Sequence, residues 1–510
     1  MKQLLLLLFL VFQIHISFGQ LRYTETIFEQ TDTLKNVEFA TSEWLNNMVG
    51  MLEEYNIHSG ESKTETRSMY MDIYSPKNDT VSKRPAILFG FSGGFLKGSR
   101  HNEDMIAFCD SFARRGYVTI TYDYRIGMGA DVTSVFGIPV AISLTETNGA
   151  RAVYRAVQDS RAAIRFLKHR ADDFGIDTSK IYMMGSSAGG FVALHNLYMD
   201  KPEEIPEQAL YTPTLGELNK VGVHGYGSRA NAIVSMWGAL QTPELIEDEQ
   251  APALLVHGEK DSVVYFKKGV PLKSLVPDLP TLNFDIPATY GGFCIDTALN
   301  NRSVEHSTYF VPDKKHEFYG VSTGKFGSNG PNQYWDTVHW KISDFLFDIF
   351  KPEADFAYDS RGVTLNCFDN TPNSTYSGWD FGDETFDTGT EVSHTYAAPG
   401  YYRVKLTTFN INMACDTLSQ TIKVGNLSGI LAPAETQIVI YPNPVKNKIT
   451  IQTTEPITKL ELVDLWGRTK LTQNNTVNGT IDVSFLQAGI YILRIETSSG
   501  IQVQKLQKVN

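Results

Sequence analysis

Two neighbouring serines stand in Gly185-Ser186-Ser187-Ala188-Gly189, a G-x-S-x-G pattern with Ser187 at its centre. A serine hydroxyl becomes a useful nucleophile only when a base takes its proton and a carboxylate fixes that base. It also needs a sharp turn between a strand end and a helix start, where flanking side chains would clash and glycines do not. Lys-Ile-Tyr-Met-Met at 180–184 reads as a strand and the apolar stretch from Phe191 as a helix, so Ser187 is the candidate nucleophile and Ser186 its neighbour. The competing reading is an ordinary strand-to-helix turn rich in small residues.

The partners decide between the two. In this arrangement the chain order is Ser, then Asp or Glu, then His. Asp261 lies in a polar loop after the apolar run Ala-Leu-Leu-Val-His-Gly at 253–258, and His316 lies in a loop after Ser-Thr-Tyr-Phe-Val-Pro at 307–312. Both loops follow strand C-terminal ends, where catalytic groups collect in open α/β sheets. Glu259 shares the loop of Asp261 as the alternative acid. Of the rival histidines, His257 precedes Gly258 at a strand end, His306 precedes its strand, His339 falls in a terminal helix and His394 in a C-terminal module. Glu317, beside the proposed base, reads as a solvated charge. Acyl transfer further needs backbone amides aimed at the developing oxyanion. The amide of Ala188 is one candidate, and Gly93 and Gly94, in Phe-Ser-Gly-Gly-Phe at 91–95, are the others. The alternative for that pair is a flexible turn. No metal or organic cofactor is expected, since neither H-E-x-x-H nor a paired Cys/His pattern occurs.

The elements that must position these groups are legible between residues 65 and 350. Nearly continuous apolar runs, as at 86–91 and 180–184, suit strands buried on both faces. Helical stretches alternate with them. Residues 150–175 carry apolar side chains at three-and-four spacing and end at Gly175, and 334–350 form a last amphipathic helix before Pro352. The expected fold is an α/β one, a mainly parallel sheet with helices on both faces. Residues 126–149, longer than a plain connector, are a candidate cap over the site. Phe95, Phe191, Trp237, Tyr265 and Phe318 fall near the site loops, where they serve either the core or a substrate pocket.

Together, Phe-Ser-Gly-Gly-Phe-Leu-Lys-Gly-Ser (91–99), Tyr-Asp-Tyr-Arg (122–125), the stretch 157–167, the nucleophile turn and the two acid and base loops resemble an α/β-hydrolase of the carboxylesterase and lipase type. The resemblance covers about residues 40–350 and is nearest to hormone-sensitive-lipase-like and bacterial feruloyl or acetyl esterases. It implies a triad of Ser187, Asp261 and His316, and an oxyanion hole of Gly93, Gly94 and Ala188. One departure stands out: the His that usually precedes the glycines is absent, and Phe91-Ser92 stand there instead, which puts the bracing of that loop in question. Asp159 and Arg125 match positions that make structural contacts in the family, and no chemistry is assigned to them.

Beyond Pro352 the texture turns to short alternating strands, expected as two small all-β sandwich domains. Residues 376–410, with Trp-Asp-Phe-Gly-Asp at 379–383, resemble a PKD-type domain. There Trp379 is expected in the core, and Asp380, Gly382 and Asp383 in a turn rather than a calcium or sugar site. Tyr-Pro-Asn-Pro at 441–444 and Gly-Ile-Tyr at 489–491 open and close a module similar to the C-terminal sorting domain of the type IX secretion system. That resemblance implies a Bacteroidota-type bacterium and cleavage of the tail during display or release. At the other end, Lys2 followed by an apolar run and by Ser17-Phe18-Gly19 reads as a secretory signal peptide, too short to be a membrane anchor. The expected organisation is signal peptide 1–19, hydrolase 20–351, PKD-like sandwich 352–426, linker 427–436 and sorting domain 437–510.

The 510 residues are 42% hydrophobic, 12% aromatic and 20% charged, the composition of a folded multidomain chain. A formal net charge of -12 argues against nonspecific nucleic-acid binding, which runs on Lys and Arg. Four cysteines permit disulfides without making them the scaffold. Cys367 and Cys415 share one module and are either paired or free. The expected function is a secreted serine carboxylesterase acting on an ester substrate, polysaccharide-linked or otherwise extracellular. It would be exported through the type IX machinery, without stable membrane insertion. Two alternatives stay open: a serine peptidase of prolyl-oligopeptidase type, against which the absence of a propeller-sized N-terminal domain speaks, and a noncatalytic adhesive or glycan-binding surface protein.

Overall fold

A computed structural model describes residues 22–135, 138–274, 282–426, 438–453, 456–464, 469–476, 479–487, 489–497 and 500–509. The expected signal peptide and the expected linker lie outside the described residues. The largest unit is built on an eight-stranded sheet. Its strands are β1 (Thr31–Leu45), β2 (Thr64–Pro76), β3 (Arg84–Gly90), β4 (Val118–Tyr122), β5 (Ile176–Ser186), β6 (Ile233–Met236), β7 (Ala253–Gly258) and β8 (His306–Val311). They lie in the order β1-β2-β4-β3-β5-β6-β7-β8. β3 through β8 are parallel to one another, whereas β2 runs antiparallel to both its neighbours, β4 and the edge strand β1.

The central strands are those read as continuous apolar runs. Residues 86–89 of β3 and 181–184 of β5 are buried throughout, because sheet neighbours and helices cover them. The antiparallel edge was not foreseen in β1. Its exposed positions follow no strict alternation, and two register shifts interrupt its pairing with β2, which blurs the period-two signal.

Three helices matter to the site: α1 (Glu103–Ala113), α2 (Glu146–His169) and α3 (Ala188–Tyr198). α1 packs on β4 and α3 on β5 and β6. α2 starts where Asn148 Oδ1 accepts the Thr145 amide at 2.7 Å, satisfying one of the donors a helix start leaves open. A short helix, Ala171–Phe174, follows it and stops at Gly175 in the left-handed region (φ 64°). The last helix of this unit is Gln333–Asp348.

The expected cap is a second sheet. Strands Met128–Val135 and Ile138–Thr145 pair antiparallel, with Leu282–Asp285 beside the latter and Ile57–Ser59 beside the former.

Two β units follow. In the first, a three-stranded and a four-stranded sheet enclose Trp379, fully buried and donating through Nε1 to Gly389 O at 2.9 Å. Asp380 Oδ1 accepts the amide of Gly382 (φ 77°), and Asp383 accepts that of Thr385, so both aspartates shape turns. The second unit pairs a three-stranded sheet with a four-stranded one, closing on the hairpin Gly489–Thr497 and Gly500–Lys508. All four cysteines are free thiols.

The first β unit is joined to the larger unit by buried groups. Asn412 Nδ2 donates to Lys83 O at 2.8 Å and to Asp177 Oδ2 at 2.9 Å, while Asn412 O accepts the Tyr23 hydroxyl at 2.6 Å. Asn410 Nδ2 reaches Phe350 O at 2.8 Å, and Ala414 belongs to the core of the larger unit.

Candidate active site

β5 ends at Ser186 and α3 begins at Ala188, leaving Ser187 alone on the turn with φ 53° and ψ -114°. Such a backbone is strained for a residue with a Cβ and holds the hydroxyl out of both elements. The turn is so tight that a Cβ at Gly185 would lie 2.1 Å from the backbone of Gly189, and one at Gly189 would lie 2.1 Å from Gly90 O. This is why the pattern needs glycine on both sides. Ser186 points elsewhere: its Oγ accepts the indole Nε1–H of Trp237 at 2.9 Å and is buried.

The loops after β7 and β8 bring their side chains to the same place. His316 Nε2 stands 2.9 Å from Ser187 Oγ, and His316 Nδ1 stands 2.6 Å from Asp261 Oδ2. A carboxylate can only accept, so Nδ1 carries the proton and Nε2 is free to take the serine's. The other oxygen of Asp261 accepts the amides of Val263 at 2.8 Å and Val264 at 3.0 Å. Burial works against charge here, yet hydrogen bonds from His257 and His316 hold the Asp261 carboxyl well below the usual carboxylate range. Glu259 is exposed and takes no part in this series.

Two residues that the sequence reading set aside touch the site. His257 is buried, its Nε2 donating to Val264 O at 2.9 Å and lying 3.3 Å from Asp261 Oδ2. It therefore backs the acid, and the only hint in the sequence was its place four residues before Asp261. Glu317 is not the solvated charge expected. It is 8% exposed, with a left-handed backbone (φ 47°), and its Oε2 accepts the Thr323 amide at 2.6 Å. The loop turns inward directly after His316, so an acidic side chain that reads as solvent-facing is folded beneath the site. Burial raises its carboxyl above the ordinary range, against the opposing pull of His316, Thr323 and Ser92.

The loop after β3 has a bracing of its own in place of the missing His. Phe91 O accepts both the Tyr124 hydroxyl at 2.7 Å and the Gly189 amide at 3.0 Å, and the Phe91 and Tyr124 rings stack with centroids 4.0 Å apart. Gly93 adopts φ 128°, and a Cβ there would meet Lys97 O at 2.2 Å. Among the described residues the amides of Gly93, Gly94 and Ala188 donate to no other protein group. Asp159 and Arg125 form a buried ion pair at 2.9 Å behind this loop. Phe95 and Phe191 flank the cavity at Ser187. Trp237 and Phe318 pack in the core, and Tyr265 is 41% exposed and away from the cavity lining.

Among the described residues no group of three or more His, Cys, Asp or Glu is placed to hold a metal. No helix among them is long and apolar enough to cross a membrane.

The parallel sheet in this strand order, with Ser, Asp and His on loops after β5, β7 and β8, defines an α/β-hydrolase fold. In agreement with it, residues 147–238 match BD-FAE, an α/β-hydrolase esterase family, 359–424 match the PKD domain and 439–509 match the secretion system C-terminal sorting domain. The chain is similar to fumonisin B1 esterase of Sphingopyxis macrogoltabida, 28% identical over 128 residues, 25% of this chain and 22% of that protein. It is also similar to gut esterase 1 of Caenorhabditis briggsae, 27% identical over 142 residues, 27% of this chain and 22% of that one. A third relative is the neuroligin-like protein glit-1 of Caenorhabditis elegans, 28% identical over 123 residues, 24% of this chain and 14% of that one. The chain thus spans about a fifth of the length of the curated relatives it matches. Among solved structures, esterase 2 of Thermogutta terrifontis aligns over 56% of this chain and 90% of its own, with 20% identity and a TM-score of 0.38.

Proposed function

We propose that the protein is a secreted serine carboxylesterase that works through an acyl-enzyme. The observation that carries the reading is the continuous series Ser187 Oγ, His316, Asp261, with contacts of 2.9 and 2.6 Å.

In this mechanism Ser187 Oγ attacks the ester carbonyl carbon while His316 Nε2 takes its proton. Asp261 keeps His316 in the tautomer that can accept and stabilises the imidazolium that results. Negative charge gathers on the carbonyl oxygen, where the amides of Gly93, Gly94 and Ala188 receive it; one such donor is worth about a hundred- to a thousandfold in turnover. His316 returns the proton to the departing alkoxide and the alcohol leaves. Water then attacks the acyl-serine with His316 as base again, releasing the acid and regenerating Ser187. The esterase family match and esterase relatives support an ester rather than an amide as substrate. The sorting-domain match supports export or surface display, and engagement of the type IX secretion machinery belongs to this same reading.

The test is hydrolysis of p-nitrophenyl acetate by the purified chain and by Ser187→Ala. The expected result is turnover by the native protein and a loss of at least about a thousandfold in the variant. A fluorophosphonate probe should label the native chain at Ser187 alone. Undiminished turnover by Ser187→Ala would sink the assignment.

A further inference from the structure

Beside Ser187 lies a cavity of about 30 Å³, lined by Ser187 itself together with Gly94 and Ala188. Among the described residues no charged side chain lines it. Its walls are apolar apart from Gln241 and Thr289, and include Phe95, Val153, Phe191, Leu272 and Ile286. A group seated there is in contact with the reacting carbonyl and must do without hydrogen-bonded charge, so a carboxylate, an amine or a sugar ring would lose its solvation uncompensated.

Size narrows the choice further. A cavity that holds one water needs roughly 10–15 Å³ on this measure, and one that takes a benzene ring is about 150 Å³. At about 30 Å³ the space suits two or three heavy atoms and is several times too small for an aromatic ring. The walls that set the limit lie against fixed backbone. A Cβ on Gly94 would come within 3.0 Å of Leu272, and one on Gly149 within 3.3 Å of Ile286. Leu272 is thus closed down on the oxyanion loop and Ile286 on the first turn of α2. Phe95 and Phe191 brace each other edge to face, with centroids 6.1 Å apart.

We propose that this cavity is the acyl seat and that the acyl group is short, unbranched and aliphatic, acetyl or propionyl, to the exclusion of long chains and of feruloyl or other aromatic acyl groups. The proposal rests on the esterase reading above.

The experiment measures kcat/KM of the full chain for p-nitrophenyl acetate, butyrate and octanoate, and for methyl ferulate. Acetate is expected to exceed octanoate by at least about tenfold, with ferulate below detection, since one misfit methylene is worth roughly tenfold or more. Leu272→Ala and, separately, Val153→Ala are each expected to raise the octanoate-to-acetate ratio by about tenfold. Octanoate or ferulate turned over as well as acetate would overturn the acyl assignment while leaving the esterase reading intact. So would a ratio that neither variant moves. No turnover of any ester, together with no fluorophosphonate labelling at Ser187, would instead overturn the esterase reading and this inference with it.

Discussion

At the scale of single residues, burial and hydrogen bonds compete to set the protonation of the carboxyls of this unit. Asp104, on α1, is fully buried and accepts the Tyr319 hydroxyl at 2.9 Å; burial pushes its carboxyl up to about 7 against that bond's pull. The sign follows from proton counting. Between about pH 4, where an unfolded aspartate loses its proton, and about pH 7, the folded chain keeps a proton that the unfolded chain has released. Stability at this site is therefore present at low pH and is lost as pH rises through that window. Asp104→Asn, uncharged throughout, should gain in Tm relative to the native chain as pH goes from 4 to 8. Thermal melts of both proteins across that range check this, and a difference that stays flat would contradict it. Asp261 shows the opposite balance, because two imidazoles and two amides outweigh its burial.

At the scale of elements, α2 does more than cover the sheet. Four arginines on it are buried, and the donors of three of them, Arg151, Arg161 and Arg165, hold the long connection between α3 and β6, while Arg155 reaches Gly127 O and Glu61. Arg161 donates to Ser228 Oγ at 2.8 Å, to Asn196 O at 3.0 Å and to Met199 O; Arg165 donates to Val223 O at 2.6 Å and to Val221 O. Arg151 reaches Gln208 O at 2.9 Å and Pro213 O at 2.6 Å, and with Arg155 also pairs with Glu61. A connection with little regular structure leaves carbonyls without partners, and guanidinium groups with several fixed donors satisfy them. Charge-assisted bonds of this kind contribute about 1.5–3 kcal/mol each, and orphaned buried carbonyls cost further. Arg161→Met should accordingly lower the stability of the hydrolase unit by roughly 3 kcal/mol, read from the urea midpoint of its unfolding transition. A shift within the range of a surface substitution would mean that water replaces the arginine. Periodicity made α2 legible as an amphipathic helix, but it gave no sign that the arginines between the apolar positions are buried too. Only the connection folded across them buries them.

At the scale of the whole molecule, the PKD-like unit is seated on the hydrolase unit. Asn412 is fully buried at the junction, and Asp177 is held down to about 2: burial opposes its charge, but bonds from Asn412 and Ser179 outweigh it. Its contribution is therefore complete above about pH 4 and is lost as pH falls from there to about 2. Two consequences are expected. In calorimetry at pH 7, Asn412→Ala should separate the unfolding of the sandwich from that of the hydrolase. In the native chain the same separation should emerge on acidification through that window. A single transition in both cases would show that the contacts left in place, those of Tyr23, Asn410 and Ala414, hold the two units together without the Asn412 side chain.

What the sequence determined by itself is whatever depends on a few neighbouring residues. The glycines around Ser187 announce a tight turn because a Cβ there strikes backbone three or four residues away or on the adjoining strand. The runs at 86–91 and 180–184 announce buried strands because their composition leaves no polar face. The chain order of Ser187, Asp261 and His316 and the change of texture after Pro352 are likewise written along the chain. What only the tertiary structure decided is which distant groups meet. Ser187 and His316 are 129 residues apart, and their 2.9 Å contact depends on the sheet stacking β5 near β8. The same packing turned Glu317 inward, set His257 behind Asp261, supplied Tyr124 to the loop that lacks its histidine, and fixed the cavity at the nucleophile. Local sterics act over a turn or two of chain, whereas burial and cavity size are properties of surfaces brought together from far along it, and no short stretch of residues encodes them.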